Sequence, residues 1–348
     1  MIRVAVDAMG GDFAPEEQVK GAMLAIKRYD DIEITLYGKK EEIEKYLTDS
    51  TRITIEDCRE VIPMDTHDPR GAIRGMKDSS MTRAMMSLVE GKNDCMCTSG
   101  PTQALIVGAL LVVRRMEGFM RPALVPTIPS LTTDGTLILD CGGNLDIKPE
   151  HLVQQAKFAV TYCKEVLHRE DPKVGLLNIG TEEGKGREFE NECYKLLKES
   201  GLNFVGNVET KQILEPPCDI LLSDAFTTNM VVKTVEGTAK SIGKILKSNL
   251  KRGFFGKIGA LLSMKNLNRF KQEINPDNNG GAMVIGVKHP LVKPHGSSTA
   301  ITFSYGIGKT SDMVRGDVIN KVAQLLKEEG EIKNEWSSST RTVLWDWV

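Results

Sequence analysis

Several short polar clusters in this sequence have the composition to hold an anion. In Gly180-Thr181-Glu182-Glu183-Gly184-Lys185-Gly186, glycines leave backbone N–H groups free and Lys185 adds a point charge just before an expected helix start. The cluster is not a nucleotide P-loop. One residue of the GxxxxGK[ST] spacing is missing, and Gly186 stands where the magnesium-binding hydroxyl belongs. No GxGxxG follows a strand either, which disfavours a nicotinamide enzyme. Asp7-Ala8-Met9-Gly10-Gly11-Asp12 sets two carboxylates around two glycines. Asp7 is placed to orient a base, a turn or a lysine, and Asp12 reads equally well as a helix cap. Asp140 and Asn144 pose the same choice around Gly142-Gly143, where a backbone can come close. Ser99-Gly100-Pro101-Thr102 offers hydroxyls and an amide to a phosphate oxygen. His295, in Lys293-Pro294-His295-Gly296-Ser297-Ser298, has small neighbours that leave its ring accessible to protonate a leaving group or hold an anion. Glu182 and Asp224 are further candidate carboxylates. No metal-ligand spacing and no GxSxG elbow appears, so neither a zinc site nor a covalent serine is expected.

These clusters need elements to position them, and the pattern of apolar runs supplies those. Arg3–Val6, Ile32–Leu36, Cys95–Cys97, Leu137–Leu139, Val174–Ile179, Ile220–Leu222 and Ala282–Ile285 are short and apolar. Most run directly into one of the polar clusters, whereas the last follows Asn279-Gly280-Gly281. Helical periodicity fills Glu16–Tyr29, His151–His168 and Gly186–Ser200 between them, with Pro149 suited to a first helical turn. The alternation predicts an α/β fold, a three-layer α/β/α arrangement on one large, mostly parallel sheet. Ligands of such sheets gather beyond the carboxyl ends of the strands, where these clusters lie.

Bulk properties narrow the class. Of 348 residues, 41% are hydrophobic, enough for a sizeable core. A net charge of −2 and an aromatic content of 5% argue against a nucleic-acid partner. The seven cysteines show no pairing framework and no leader precedes Met1, so a reducing cytosol is expected. Cys95 and Cys97 read as two strand residues on one face. No apolar run reaches the roughly 18 residues of a membrane span. Residues 1–330 read as a single catalytic domain and 331–348 as a C-terminal tail, frayed or docked on a neighbour. One segment breaks the composition: residues 237–272 hold nine lysines and arginines, no acidic residue, and an apolar set at helical spacing. Lys251, Arg252, Phe254, Phe255, Lys257, Ile258 and Leu262 there suit an anionic membrane surface or an acidic partner, or equally a dimer-interface helix pair with a solvated basic face. Gly253, Gly256 and Gly259 would weaken its helix into a mobile tip.

Asp7-Ala8-Met9-Gly10-Gly11-Asp12, Asn178-Ile179-Gly180-Thr181-Glu182, Gly206-Asn207-Val208-Glu209, Asn279-Gly280-Gly281-Ala282 and His295-Gly296-Ser297-Ser298 occur in that order over most of the chain. Together they resemble the bacterial phosphate acyltransferases, the acyl-ACP:phosphate transacylases of phospholipid synthesis. The resemblance implies acyl transfer from acyl carrier protein to inorganic phosphate, with the acyl phosphate passing to the membrane glycerol-3-phosphate acyltransferase. It also implies an isocitrate/isopropylmalate dehydrogenase-like fold related to phosphotransacetylases, a homodimer, a cytoplasmic location with peripheral membrane attachment, and no cofactor. On this reading Lys185 and the backbone around Gly180 and Gly100 hold phosphate, and His295 and Ser297 face the thioester. Asp224 and Asn229 organise the site, and Asp7, Gly10, Gly11, Ser99, Thr102, Asp140, Asn144, Thr181, Glu182, Gly280, Gly281 and Ser298 line it. Two stretches depart from the family pattern. Gly100-Pro101-Thr102-Gln103-Ala104 stands for Gly-Asn-Thr-Gly-Ala, and Asp224-Ala225-Phe226-Thr227-Thr228-Asn229 for Asp-Gly-Phe-Thr-Gly-Asn. The alternatives are a short-chain phosphotransacetylase using acyl-CoA and a non-catalytic carrier- or membrane-binding scaffold.

Overall fold

In a computed structural model, which describes residues 1–144, 147–273 and 279–328, the apolar runs form strands as expected, flanked by helices. They do not share one sheet. The first sheet has seven strands: β1 (Ile2–Asp7), β2 (Ile32–Gly38), β3 (Ile53–Asp57), β4 (Cys95–Cys97), β5 (Ala123–Val125), β11 (Ala282–Ile285) and β12 (Leu291–Lys293), in the order β3-β2-β1-β4-β12-β11-β5. The second has five: β6 (Thr127–Ile128), β7 (Thr136–Leu139), β8 (Val174–Asn178), β9 (Phe204–Glu209) and β10 (Ile220–Leu222), in the order β6-β7-β10-β8-β9. The expectation of a single large sheet is therefore corrected to two. The α/β class and the mostly parallel pairing hold, since only β11–β12, β11–β5 and β6–β7 run antiparallel.

Pro126 explains the division. It separates β5, which pairs with β11, from β6, which pairs with β7, and it has no N–H to continue a ladder. Its carbonyl accepts from the Ile138 N–H and the Leu124 carbonyl from the Cys141 N–H, so the chain stays stitched where it changes sheets. The largest buried cluster spans this junction. Val125, Met283 and Val292 of the first sheet pack with Leu137, Leu176 and Leu222 of the second and with Phe158 and Tyr162 of the helix Pro149–Glu165. Elsewhere β4 separates two cores: Cys95 and Cys97 face one and Met96 the other, the alternation a strand requires. All seven cysteines are buried, free thiols.

The helix Ala225–Leu250 runs on from β10 and carries the start of the basic segment. It ends at Lys251-Arg252, where Gly253 adopts a positive φ of 73°, and a separate helix, Gly253–Leu262, follows. Gly256 and Gly259 lie inside that helix, so only Gly253 acts as the expected breaker. The tail 331–348 lies outside the described residues, as does the side chain of Lys257.

Candidate functional site

Three loops converge at the carboxyl ends of β1, β4 and β12. The buried Asp7 accepts hydrogen bonds from the Thr98 hydroxyl at 2.7 Å and the Met9 N–H at 3.2 Å. Burial pushes its carboxyl above the usual range, which hydrogen bonds from Ser80, Thr98 and Met9 only partly offset. Gly10 must be glycine, because a Cβ there would lie 2.5 Å from Asp7 Oδ2 and 2.7 Å from the Gly100 nitrogen. Gly11, at φ 123°, lies against Ser99 and the Gly296 carbonyl. The Asp12 N–H donates to that carbonyl at 2.8 Å, which joins the β1 loop to the β12 loop. Ser99 is 0% and Ser298 2% exposed, yet neither hydroxyl finds a partner among the described residues. His295 is exposed, and the Ser297 N–H reaches its Nδ1 at 3.2 Å with the Ser297 hydroxyl at 2.8 Å. A backbone N–H can only donate, so Nδ1 accepts and the neutral ring carries its proton on Nε2.

Lys293 and Lys309 belong to this region and were not among the sequence candidates. Lys293 ends β12 behind His295, and among the described residues its amine reaches only the Pro294 carbonyl, at 3.5 Å. Burial pushes its ammonium down to about 8, against the attraction of Asp12 and Asp7 and with added repulsion from Lys233. Lys309 is buried and donates to Thr127 Oγ1 at 2.9 Å, the Gly281 carbonyl at 2.8 Å and the Asn279 carbonyl at 3.3 Å. Its burial lowers it to about 7. Gly280 and Gly281, candidates for substrate contact, are packed against protein backbone, and a Cβ at Gly281 would collide with the Lys293 carbonyl.

The second sheet contributes its own loops. Asp140, fully buried after β7, accepts from Leu124 N–H at 3.1 Å, Gly143 N–H at 2.9 Å and Asn144 Nδ2 at 2.7 Å, and burial raises its carboxyl to about 6. Asn144 also donates to the Pro122 carbonyl at 2.6 Å. These two residues thus lock the chain on either side of the sheet change. After β8, Gly180 is buried while Thr181, Glu182 and Lys185 are exposed. Asn178 Nδ2 donates to the Lys185 carbonyl at 3.1 Å and Asn207 Nδ2 to the Glu182 carbonyl at 2.8 Å, which fixes the loop's backbone and leaves the Lys185 side chain on the surface.

Arg187, also missed from the sequence, closes this set. Its guanidinium contacts both Glu190 and Asp224, tying the end of the Lys185 loop to the loop after β10. Burial opposes ionisation of Asp224. Hydrogen bonds from the Thr227 N–H at 2.8 Å and from Arg187 outweigh it and hold the carboxyl below the usual range. Asp224 is therefore also the cap of the helix Ala225–Leu250. Asn229 lies within that helix and is exposed, rather than on a strand-end loop.

The structure thus gathers Asp7, Gly10, Gly11, Ser99, Gly100, His295, Ser297 and Ser298 on one sheet, and Gly180, Lys185 and Asp224 on the other. Lys233 of the helix Ala225–Leu250 acts electrostatically on both Lys293 and Cys141, so this helix borders both groups of loops. Thr102 opens the helix Thr102–Gly108 behind Pro101, whose missing N–H costs nothing before a first turn. Gln103 points to solvent, and Thr228 is buried with its hydroxyl unpaired among the described residues. On the helix Gly253–Leu262, Phe254, Phe255 and Leu262 are 73%, 86% and 81% exposed, Ile258 is also exposed, and so are Lys251 and Arg252 just before it.

Comparison with known proteins gives this arrangement a family. The family model described as fatty acid synthesis protein matches residues 2–321. A protein of Acholeplasma laidlawii named phosphate acyltransferase is 44% identical over 334 residues, 95% of this chain and 100% of that one. One of Bacillus pumilus with the same name is 43% identical over 328 residues, 94% and 98% of the two chains. Among solved structures, a phosphotransacetylase from Streptococcus pyogenes superposes with a TM-score of 0.56 at 16% identity, covering 92% of this chain and 94% of that one. A branched-chain phosphotransacylase from Enterococcus faecalis gives 0.55 at 13% identity, with 90% and 100% covered. These two establish the fold.

Proposed function

The chain belongs to the phosphate acyltransferase family, and on that premise we propose that it transfers a fatty acyl group from acyl carrier protein to inorganic phosphate, giving acyl phosphate. The observation that carries this reading is the family match itself, which runs through every loop described above. The chemistry suits the site. A phosphate oxygen forms a C–O bond at the thioester carbonyl carbon, the C–S bond breaks, and the sulfur leaves as a thiolate that takes up a proton. Phosphate near neutral pH is already a competent nucleophile, so the protein's work is placement and stabilisation of the tetrahedral oxyanion.

In this reading Lys185 and the free amides around Gly180 hold a phosphoryl group, while the Arg187–Asp224 contact keeps that loop in register with the next. His295 presents its Nε2–H to the thioester oxygen or the leaving sulfur, held in that tautomer by Ser297. Acyl carrier protein and an anionic membrane are the partners that the basic, apolar segment after Ala225 fits. No helix among the described residues is long and apolar enough to cross a membrane, so attachment would be at the surface. Ile242 and Ile245, 49% and 62% exposed on the long helix, support pairing with a second copy.

Incubation with palmitoyl-ACP and phosphate, with acyl phosphate trapped as its hydroxamate, tests the reaction. Product from palmitoyl-ACP is expected. Product from acetyl-CoA alone would replace this reading with a short-chain phosphotransacetylase, and carrier binding without turnover would leave a scaffold.

A further inference from the structure

We propose that Lys293, Ser99 and Ser298 form a second phosphoryl-binding site, on the first sheet, separate from the Lys185 loop on the second. The inference deepens the acyl transfer reading and rests on it, because that reaction brings two phosphoryl groups to the cleft. One is inorganic phosphate and the other is the phosphodiester of the carrier's pantetheine arm.

Three observations converge. The Ser99 and Ser298 hydroxyls are sealed from solvent and satisfied by no described residue, an arrangement that is unfavourable unless a ligand oxygen meets them. Ser99 lies against Gly11, and Gly10 brings the β1 loop against the Gly100 amide. Backbone from two loops is therefore packed where side chains would otherwise fill the space. Lys293 ends the strand that leads into the Ser298 turn, and its amine has a single long contact and no ion pair among the described residues. An ammonium has three donors to satisfy, so two remain for oxygen acceptors. Burial lowers the affinity of Lys293 for its proton, and a phosphoryl oxygen beside its amine would raise it again. Lys185, by contrast, stands in solvent and needs no ligand to be stable.

The test compares wild type with Lys293→Met, which keeps the buried stem, Lys293→Arg, which keeps the charge, and Ser99→Ala with Ser298→Ala. Loss of a charge-assisted contact should raise one substrate's KM roughly tenfold or more, with Arg recovering part of it. A raised KM for phosphate, with loss of the phosphate-dependent gain in Tm expected of wild type, assigns free phosphate to the site. A raised KM for palmitoyl-ACP, with that gain in Tm intact, assigns the phosphodiester. If neither KM moves beyond twofold in the serine variants and in whichever Lys293 variant folds, the proposal is wrong. Should wild type form no acyl phosphate, the acyl transfer reading fails by itself, and the gains in Tm given by phosphate and by holo acyl carrier protein, each compared between wild type and Lys293→Met, still decide the site, both gains unchanged overturning it.

Discussion

Arg187 touches Glu190 and Asp224 at once, and that one guanidinium sets how the candidate residues of the second sheet relate to each other. It holds Asp224 ionised and the end of the Lys185 loop fixed, so the exposed Lys185 amine swings from a rigid base. A lysine in this position contributes charge without contributing to stability, because exposed cations add little to folding. Lys185→Ala should therefore leave Tm unchanged while raising the KM for phosphate by about tenfold, the scale of one lost charge-assisted hydrogen bond. Unchanged acyl phosphate formation at low phosphate would remove Lys185 from the phosphate site. The sequence marked Lys185 through its glycines. Arg187, one residue beyond them, carried no such signal, since its partner Asp224 is 37 positions away in the chain.

Among the elements, the helix Gly253–Leu262 is the one whose composition and environment conflict. Phe254, Phe255, Leu261 and Leu262 are largely exposed, and the helix packs mainly against the helices on either side of it, Ala225–Leu250 and Met264–Glu273. Four large apolar side chains in water represent several kcal/mol of burial still available, at about 1.5–3 kcal/mol each. With lysines and arginine nearby, an anionic bilayer is the surface that matches both features. Exchanging Phe254, Phe255 and Leu262 for Ser should release the protein from phosphatidylglycerol vesicles in a flotation assay. Undiminished flotation, with the triple variant turning monomeric in light scattering, would assign the face to a second copy of the chain. The basic segment was plain in the sequence as a run without acidic residues. Its division among three helices, broken at Arg252-Gly253 and at Ser263, was not, because glycine inside a helix costs only about 1 kcal/mol and surrounding residues outvote it.

For the molecule as a whole, the junction of the two sheets is held by a lysine with no carboxylate partner among the described residues. Lys309 reaches Thr127 beside Pro126 and the carbonyls of Asn279 and Gly281, and so clamps the turn before β11 to the point where the chain changes sheets. Its folded pKa of about 7 lies below the roughly 10.4 of an unfolded lysine. Between those values the unfolded chain binds a proton that the native protein does not, so stability should rise with pH through this window. Urea unfolding at pH 7, 8 and 9 should show wild type gaining on Lys309→Met by up to about 1.4 kcal/mol per pH unit. A pH-independent difference would mean that Lys309 stays charged when folded.

The sequence by itself determined the α/β class, seven of the strands, the principal helices and the polar clusters beyond the strand ends. It could do so because hydrophobic period, glycine and capping residues act over a few positions. The ordered motifs also carried the family, since five clusters in a fixed sequence hardly recur by chance. Only the tertiary structure decided that the strands divide between two sheets at Pro126. It also decided that Asp140 and Asn144 lock that division, that Gly280 and Gly281 make room for backbone, and that Lys309 is a buried and Lys293 a half-buried lysine. These depend on partners beyond the reach of a local pattern, from Leu124 for Asp140, 16 positions away, to Thr127 for Lys309, 182 positions away, and a side chain's charge in the interior follows from what surrounds it.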